Sequence, residues 1–332
     1  MSSVPGSQAL TAALLLAALL LTGVSAATGY APLDIPSALA DWWSGRESVP
    51  RLVFAELRLP RAIIGLLVGF SLGISGAALQ GLLRNPLADP GVIGVSAAAA
   101  FGAVAAFYSG LALLVPLALP LGGIAGAVLA TLAIAAIAGR GAGTLQIILA
   151  GVAISSLCGA LTALALNLSP NPYAALEIVF WLMGSLQDRS FEHVLLAAPL
   201  MAAGWLLLAT TAPALDALSL GEDTAGSLGF SLVGLRLRVV LGTALSVGSA
   251  VAVSGAIGFV GLVVPHLLRP AVGHRPGALL LASALGGAVL TLAADIAVRL
   301  LPVQPELKLG VVTALVGAPF LFWLLRRLRG PA

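Results

Sequence analysis

The 332-residue chain is 60% hydrophobic and 9% charged, with 16 Lys and Arg against 13 Asp and Glu. Soluble domains carry about 25% charged residues, so this composition excludes an ordinary soluble protein and favours a membrane protein. The formal charge of +3 is too small to indicate nucleic-acid binding, and it is better interpreted as a signal of membrane topology.

Apolar stretches long enough to cross a bilayer recur along the whole chain. Each span needs roughly 20 apolar residues, and the Ala, Leu, Gly and Val that fill these stretches lack the alternation of barrel strands. We predict an all-α polytopic membrane protein, one domain over residues 1–332, with about ten transmembrane helices. The predicted spans are 9–29, 61–83, 92–113, 117–138, 143–167, 193–213, 236–254, 256–273, 277–301 and 308–328.

The first span also resembles a secretory signal sequence, because its apolar run precedes Val24-Ser25-Ala26. The first ten residues contain no Lys or Arg, which signal sequences normally carry. We therefore expect a retained helix, whereas cleavage would remove this span and change the topology.

The second span carries a ridge of small residues. Gly65, Gly69, Gly73, Ala77 and Gly81 recur every four residues, so they share one helix face and allow a neighbouring helix to approach closely. Helix packing is the expected role of this ridge.

Gln80 lies near the end of this span, and the segment 84–91 follows it. This segment contains Asn85, Pro86 and a second proline, which are expected to end the helix. Exposed backbone at this point must find partners or water. A rigid turn and a constriction in a transport pathway are both compatible with the pattern.

A polar, acidic segment at 213–238 interrupts the apolar chain. Two short helices, 215–220 and 224–228, are predicted around Gly221-Glu222-Asp223, with Gly229 ending the second. A plain connector needs only a few residues, so a folded one favours a docking surface for a soluble partner; an ordered connector is the alternative.

The stretch 254–269 carries glycines at positions 255, 258 and 261, and this spacing predicts close contact with other helices. Pro265 is expected to kink or end the helix. Farther on, Asp295 and Arg299 lie four residues apart with the acid first, which favours an ion pair. We expect Arg299 to extend towards water at the outer face.

Several kinds of chemistry are excluded or disfavoured. The only lysine, Lys308, is followed by Leu309, so the chain lacks a Walker A motif and cannot itself be a P-loop ATPase. The three histidines show no ligand spacing, and Cys158 stands alone, so we expect no metal site, no cofactor and no catalytic residue.

Basic residues set the expected orientation. The cluster Arg326-Arg327-Leu328-Arg329 places the C-terminus inside the cell. An even number of spans then places the N-terminus inside too, together with the 213–238 segment.

The order of these pieces resembles the permease subunits of ABC importers for iron-siderophore complexes, haem and cobalamin. The matching stretches are RLPR (58–61), SGAALQGLLRNPLADPGVIGVS (75–96), LAGVAIS (149–155), WLMGSL (181–186), LGEDTAGSLG (220–229), SGAIGFVGLVVPHLLR (254–269), LAADIAVR (292–299) and GVVTALVGAPFLFWLL (310–325). Departures are Lys308 and Ala256, where the family commonly has Pro, and a shortened loop at Gly273-His274-Arg275.

This resemblance implies the type II ABC importer permease architecture in a bacterial inner membrane. It further implies a homodimer, a cytoplasmic P-loop ATPase that uses the ATP, and a periplasmic or lipid-anchored binding protein. The ATPase-coupling residues would be Leu220, Gly221, Glu222, Asp223, Ala225, Leu228 and Gly229. The residues that dock the binding protein would be Arg58, Arg61 and Arg299. The expected pathway and packing residues are Gln80, Asn85, Pro86, Leu149, Gly151, Ser155, Gly258 and Pro265.

The substrate is the least determined part of this interpretation. Family frequency favours a ferric siderophore over cobalamin and cobalamin over haem. The alternatives are an ion-coupled secondary transporter, for which Asp295 is the evident candidate coupling acid, and a structural or receptor membrane protein.

Overall fold

The fold is known from a computed structural model that describes residues 5–29, 32–115, 117–138, 143–169, 172–303 and 305–328. Arg329, one of the basic residues used to predict the orientation, lies outside these ranges. The α-helices in chain order are α1 (Pro5–Ala27), α2 (Ile35–Ser44), α3 (Val49–Leu52), α4 (Leu59–Leu83), α5 (Val95–Tyr108), α6 (Leu111–Leu114), α7 (Ala118–Ala138), α8 (Thr144–Asn167), α9 (Pro172–Leu182), α10 (Phe191–Ala209), α11 (Ala212–Leu218), α12 (Glu222–Ser227), α13 (Leu232–Ser254), α14 (Val260–Leu268), α15 (Pro276–Leu300) and α16 (Leu309–Leu328).

The all-α membrane architecture is confirmed, and the count of ten spans is approximate. Within the described ranges, six helices are long and apolar enough to cross a membrane: Gln8–Ala27, Val49–Leu83, Leu145–Asn167, Phe191–Ala209, Leu232–Ser254 and Pro276–Leu300. Shorter apolar helices occur at Val95–Tyr108, Ala118–Ile134, Pro172–Leu182 and Leu309–Leu324.

Two helices differ from the sequence prediction. The predicted span 256–273 contains only the nine-residue α14, because the backbone leaves the helix at Gly255 (φ 69°) and Phe259 (φ 67°) before α14 begins. The second predicted span begins earlier than residue 61, since the π-helical stretch Val53–Arg58 joins α3 to α4 without interruption. Charged residues in that stretch hid the apolar face formed by Phe54 and Ala55, which are buried.

The ridge of small residues on α4 packs along α15, as predicted. A Cβ at Gly73 would overlap the Ser283 carbonyl oxygen, and one at Gly69 would lie 2.7 Å from the Ala288 Cα. Outside the ridge, Gly76 meets the backbone of Gly261 on α14 in the same way. The centre of the molecule is therefore built by backbones in direct contact.

Gly76→Ala is expected to destabilise the protein by about 1–3 kcal/mol, because the added methyl overlaps a backbone carbonyl that cannot move aside locally. Gly23→Ala on α1 is the matched control: its Cβ would meet nothing within 4 Å, so the gain in helix propensity should stabilise by about 0.5–1 kcal/mol. Thermal unfolding of the purified variants in detergent measures both. Equal midpoints for the two variants would contradict the close packing of α4 on α14.

Candidate functional sites at the two ends of the bundle

Helix α15 connects two polar sites at opposite ends of the molecule. At its start, Arg275 donates to the Asp216 carboxylate (3.1 Å), and the Gly277 N–H donates to the same carboxylate (2.7 Å). Near its end, Arg299 donates to the carbonyl oxygens of α1. Residues 277 and 299 lie about 33 Å apart along the helix. We call the first the loop end and the second the arginine end.

The arginine end is organised around Asp295, which is 1% exposed. Arg61 donates to this carboxylate from Nη2 (2.7 Å) and Nε (3.1 Å), and Arg299 pairs with it from the other side (2.7 Å). Arg61 also donates to both carboxylate oxygens of Glu306, from Nη1 (3.1 Å) and from Nη2. Two helices and the segment before α16 are thus joined by ion pairs.

Helix α1 supplies further partners for the arginines. Arg299 donates to the Ser25 carbonyl oxygen (2.8 Å), the Thr28 carbonyl oxygen (2.8 Å) and the Ser25 hydroxyl (2.5 Å). Arg58 donates to the Ala27 carbonyl oxygen (2.6 Å). The C-terminal turn of α1 is therefore part of the same charge cluster.

The structure brings the three predicted docking arginines to one cleft. The cleft has a volume of about 440 Å³ and its lining includes Arg58, Arg61, Arg299, Asp188 and Glu306. The arginines are not freely exposed: Arg58 is 7% and Arg299 is 5% exposed. The expectation that Arg299 extends into water was wrong, because α1 lies over it and accepts its hydrogen bonds.

Two residues of this end were missed as site residues in the sequence. Glu306 contacts Arg61 although 245 positions separate them. The sequence could have indicated Glu306, because it is an acid in the short outer connection between the last two predicted spans, on the same side as several arginines. Arg189 lies near the same group: burial lowers the pKa of its guanidinium, Asp188 opposes this effect, and Arg61 adds to it.

Lys308, the departure in the last outer connection, is half-buried with its Nζ 5.7 Å from the centre of the Phe180 ring. A cation held over an aromatic ring is attracted to the ring face. Nearby, the Gly310 N–H donates to the Gly184 carbonyl oxygen, and the Ser185 N–H donates to the Ser254 carbonyl oxygen (2.7 Å). The WLMGSL, SGAIGF and GVVTAL stretches therefore meet at this end.

The loop end contains the predicted helix pair, with boundaries one to three residues earlier than predicted. Helix α12 ends in a Schellman motif, in which the Phe230 N–H donates to the Ala225 carbonyl oxygen (3.1 Å) and the Gly229 N–H to the Gly226 carbonyl oxygen (2.9 Å). Gly229 has φ 84°, as its predicted role in ending the helix requires.

Two leucines of this otherwise polar helix pair are exposed. Leu220 is 68% and Leu228 is 60% exposed, and Gly221, Asp223 and Gly229 lie between or beside them. Ala225 is buried and holds α12 on the bundle. Large apolar side chains held out by a folded polar segment are typical of an interaction surface.

Ion pairs fasten the helix pair to two long helices. Arg236 of α13 donates to both Glu222 oxygens (3.2 and 3.3 Å), and Arg275 pairs with Asp216 of α11 (3.1 Å). Of the predicted coupling residues, Glu222 is thus partly engaged within the chain. A displacement of α12 would be transmitted directly to α13 and α15.

Gln80 and Pro265 form a structural unit. Pro265 has no N–H to donate to the Gly261 carbonyl oxygen inside α14, and the Gln80 Nε2 donates to that oxygen (3.4 Å) and to the Leu262 carbonyl oxygen (3.2 Å). Gln80 also accepts a hydrogen bond from Arg269 (2.6 Å). The prediction that Pro265 would kink or end α14 is corrected in one respect, since the helix continues to Leu268.

The remaining pathway residues fall into two places. Asn85 and Pro86 form the turn after α4, where the Asn85 side chain accepts from the Leu87 N–H (2.9 Å). On α8, Leu149 is exposed, while Gly151 allows the helix to contact Ile93 of the 3₁₀ turn Pro90–Ile93. The segment that follows α4 and the α8 segment around Gly151 are therefore neighbours in space.

The last two expected pathway and packing residues are Ser155 and Gly258. The Ser155 Oγ is buried on α8 and has no hydrogen-bond partner among the described residues. Gly258 is exposed in the non-helical backbone before α14, and a Cβ there would meet nothing within 4 Å. Gly258 therefore does not serve the close helix contact predicted for it. Irregular backbone at membrane depth is tolerated where it is covered by protein or lines a cavity.

Comparison with known proteins gives consistent matches over most of the chain. Residues 13–327 match the FecCD transport family. The hemin transport system permease protein HmuU of Yersinia pestis is 39% identical over 287 residues, 83% of this chain and 84% of that protein. The vitamin B12 import system permease protein BtuC of Citrobacter koseri is 39% identical over 292 residues, 88% and 87% of the two chains. A solved inward-facing structure of a metal-chelate type ABC transporter superposes with a TM-score of 0.82 at 33% identity, covering 96% of this chain and 98% of that one.

Proposed function

Because the chain belongs to the FecCD transport family, we propose that it is the membrane permease of an ABC importer that carries a metal chelate into the cell. Residues 1–332 form one permease domain of a multi-pass protein in the bacterial inner membrane, with both termini in the cytoplasm. The observation that carries the proposal is the pair of polar sites at opposite ends of α15, one shaped for each expected soluble partner.

The loop end is the proposed contact with a cytoplasmic P-loop ATPase. Leu220 and Leu228 would enter a cleft of the ATPase, and Gly221 and Gly229 leave open space around them. The ion pairs to α13 and α15 would transmit its movement into the membrane. ATP is used by this partner, and the permease needs no cofactor of its own.

The arginine end is the proposed contact with a periplasmic or lipid-anchored binding protein. Arginine suits bidentate recognition of carboxylates, so acidic residues of the binding protein are the expected partners of the cleft formed by Arg58, Arg61 and Arg299. The three arginines are balanced formally by Asp188, Asp295 and Glu306, so the support for an acidic partner is the grouping of three guanidinium groups in one cleft and not a net positive charge.

A second copy of the chain would complete the transport pathway. Helices α8 and α16 carry large apolar side chains that stay exposed in the single chain, among them Leu149, Leu157, Val316 and Phe322. Lipid or a second subunit must cover such faces. In the proposed homodimer, the exposed face of α8 that carries Leu149 faces the passage together with Gly258, while Gly151 and the Ser155 hydroxyl lie on its inner face.

The cargo is a metal chelate, for which family frequency favours a ferric siderophore, with cobalamin and haem as the other candidates. Small and apolar side chains along α8 would bind such cargo weakly, which suits release after the binding protein has selected it. The ion-coupled alternative is disfavoured by the position of Asp295, whose carboxylate is held between two arginines instead of being free to bind an ion.

Uptake by reconstituted proteoliposomes tests this function. The permease with its ATPase, binding protein and external labelled cargo is expected to accumulate one of ferric siderophore, cobalamin or haem only with internal ATP. The permease alone should show no ATP hydrolysis. Uptake driven by a proton or sodium gradient without the ATPase would instead establish a secondary transporter.

A further inference from the structure

The Arg61 guanidinium has no free edge in the resting chain. Its Nε and Nη2 face Asp295, and its Nη1 and Nη2 face Glu306. A guanidinium offers five N–H donors in a rigid fork, so two carboxylates at adjacent edges use four of them. A further carboxylate can therefore make a bidentate pair with Arg61 only by replacing one of these two.

The two resident acids differ in how firmly they are held. Asp295 lies on α15, is almost fully buried and also pairs with Arg299. Glu306 lies outside the helices, in the connection between α15 and α16; its side chain is 7% exposed, it pairs with Arg61 alone among the arginines, and it is one of the residues that line the cleft. Loss of Asp295 would remove an acid from two arginines and leave the buried Arg299 with neutral partners only, whereas movement of Glu306 uncovers only one edge of Arg61. Glu306 is the replaceable acid.

Arg299 is a poor site for such an exchange. Its Nη1 donates to the carbonyl oxygens of Ser25 in α1 and of Thr28 just after α1, and its Nη2 donates to the Ser25 hydroxyl and pairs with Asp295. These partners belong to helices or their ends, so Arg299 fastens α1 to α15. Of the two arginines that pair with Asp295, Arg61 is therefore the one with an exchangeable second acid.

We propose that Glu306 is a built-in competitor that occupies Arg61 until a carboxylate of the external binding protein replaces it. This inference rests on the proposed docking role of the cleft. Docking then exchanges one ion pair for another instead of adding one. The chain therefore binds its partner less tightly than it would if Glu306 did not occupy Arg61.

The proposal predicts that Glu306→Gln tightens docking. The neutral amide leaves one edge of Arg61 open, so an incoming carboxylate gains a charge-assisted pair without displacing one; we expect a dissociation constant about tenfold lower. Because the wild-type exchange conserves ion pairs, its affinity should depend weakly on salt, and the variant should show a steeper dependence. The measurement is binding-protein affinity for the permease–ATPase complex in nanodiscs between low and physiological salt.

Three further variants make the result decisive. Glu192→Gln removes an exposed negative charge in the first turn of α10 that is not paired with Arg61, and it should leave the affinity unchanged. Glu306→Asp keeps the charge but shortens the side chain; it should also tighten docking and can be used if the Gln variant does not fold. Arg61→Gln should weaken docking, which tests the docking site itself.

The outcomes separate the two ideas. Weaker docking by Arg61→Gln without tightening by either Glu306 variant overturns the exchange but leaves the docking site intact. Unchanged docking by Arg61→Gln rejects the site, and the exchange with it. Equal tightening by Glu192→Gln shows a general charge effect and also overturns the exchange.

Discussion

Asp295→Ala is expected to destabilise the folded permease by about 3–5 kcal/mol, because it leaves two buried arginines without their shared acid. Arg61 would retain Glu306, while Arg299 would retain only neutral partners on α1. The measurement is the thermal unfolding of the purified protein in detergent, together with the folded yield from membranes.

Asp41→Ala provides the matched control for this result. Asp41 pairs with Arg46 at 3.5 Å, and the arginine is well exposed, so solvent screens the pair and its loss should cost less than about 1 kcal/mol. Asp295→Asn, which keeps the size but removes the charge, should lie close to the alanine variant. A midpoint for Asp295→Ala within error of that for Asp41→Ala would contradict the central position assigned to Asp295.

Leu220→Asp combined with Leu228→Asp is expected to abolish ATP-driven transport by separating the permease from its ATPase. Burying each leucine side chain contributes about 1.5–3 kcal/mol. Removing both and adding two charges should weaken the association by at least about a hundredfold. Co-purification of the ATPase and ATP-dependent uptake measure the two consequences.

The fold should survive this double substitution because both side chains already face water and neither contributes to the Schellman motif through its side chain. The control is Leu39→Asp, which makes the same change at an exposed leucine of α2, outside the helix pair of the loop end. It should leave ATPase co-purification unchanged. Full association of the ATPase with the double variant would remove the loop end from the coupling mechanism.

Helix α15 connects the loop end to the arginine end. Helix α15 is held at its start by Asp216 of the loop end and near its finish by the arginine cluster. A 25-residue helix packed backbone to backbone on α4 is a stiff element. One stiff helix therefore joins the two proposed partner surfaces, and this geometry supports the proposal that docking and ATP use are coupled.

The features that the sequence predicted correctly follow local rules. The apolar composition required helices that satisfy their own backbone hydrogen bonds in lipid. The spacing of Gly65, Gly69 and Gly73 identified the close helix face, and Gly229 ended α12 by an interaction confined to a few residues. The pair Asp295–Arg299 formed because residues four apart meet on any helix.

The features decided only by the tertiary structure join distant parts of the chain. Arg61 meets Asp295 and Glu306 across 234 and 245 positions, and Gln80 supplies the donor that Pro265 removes across the α4–α14 contact. No periodicity records which acid faces which arginine, because that choice depends on how the helices pack. The sequence by itself determined the membrane class, the helix pair and the charged residues at each end; packing decided that the arginines are buried and already paired, since an ion in a low-dielectric interior must find its partner wherever the fold places one.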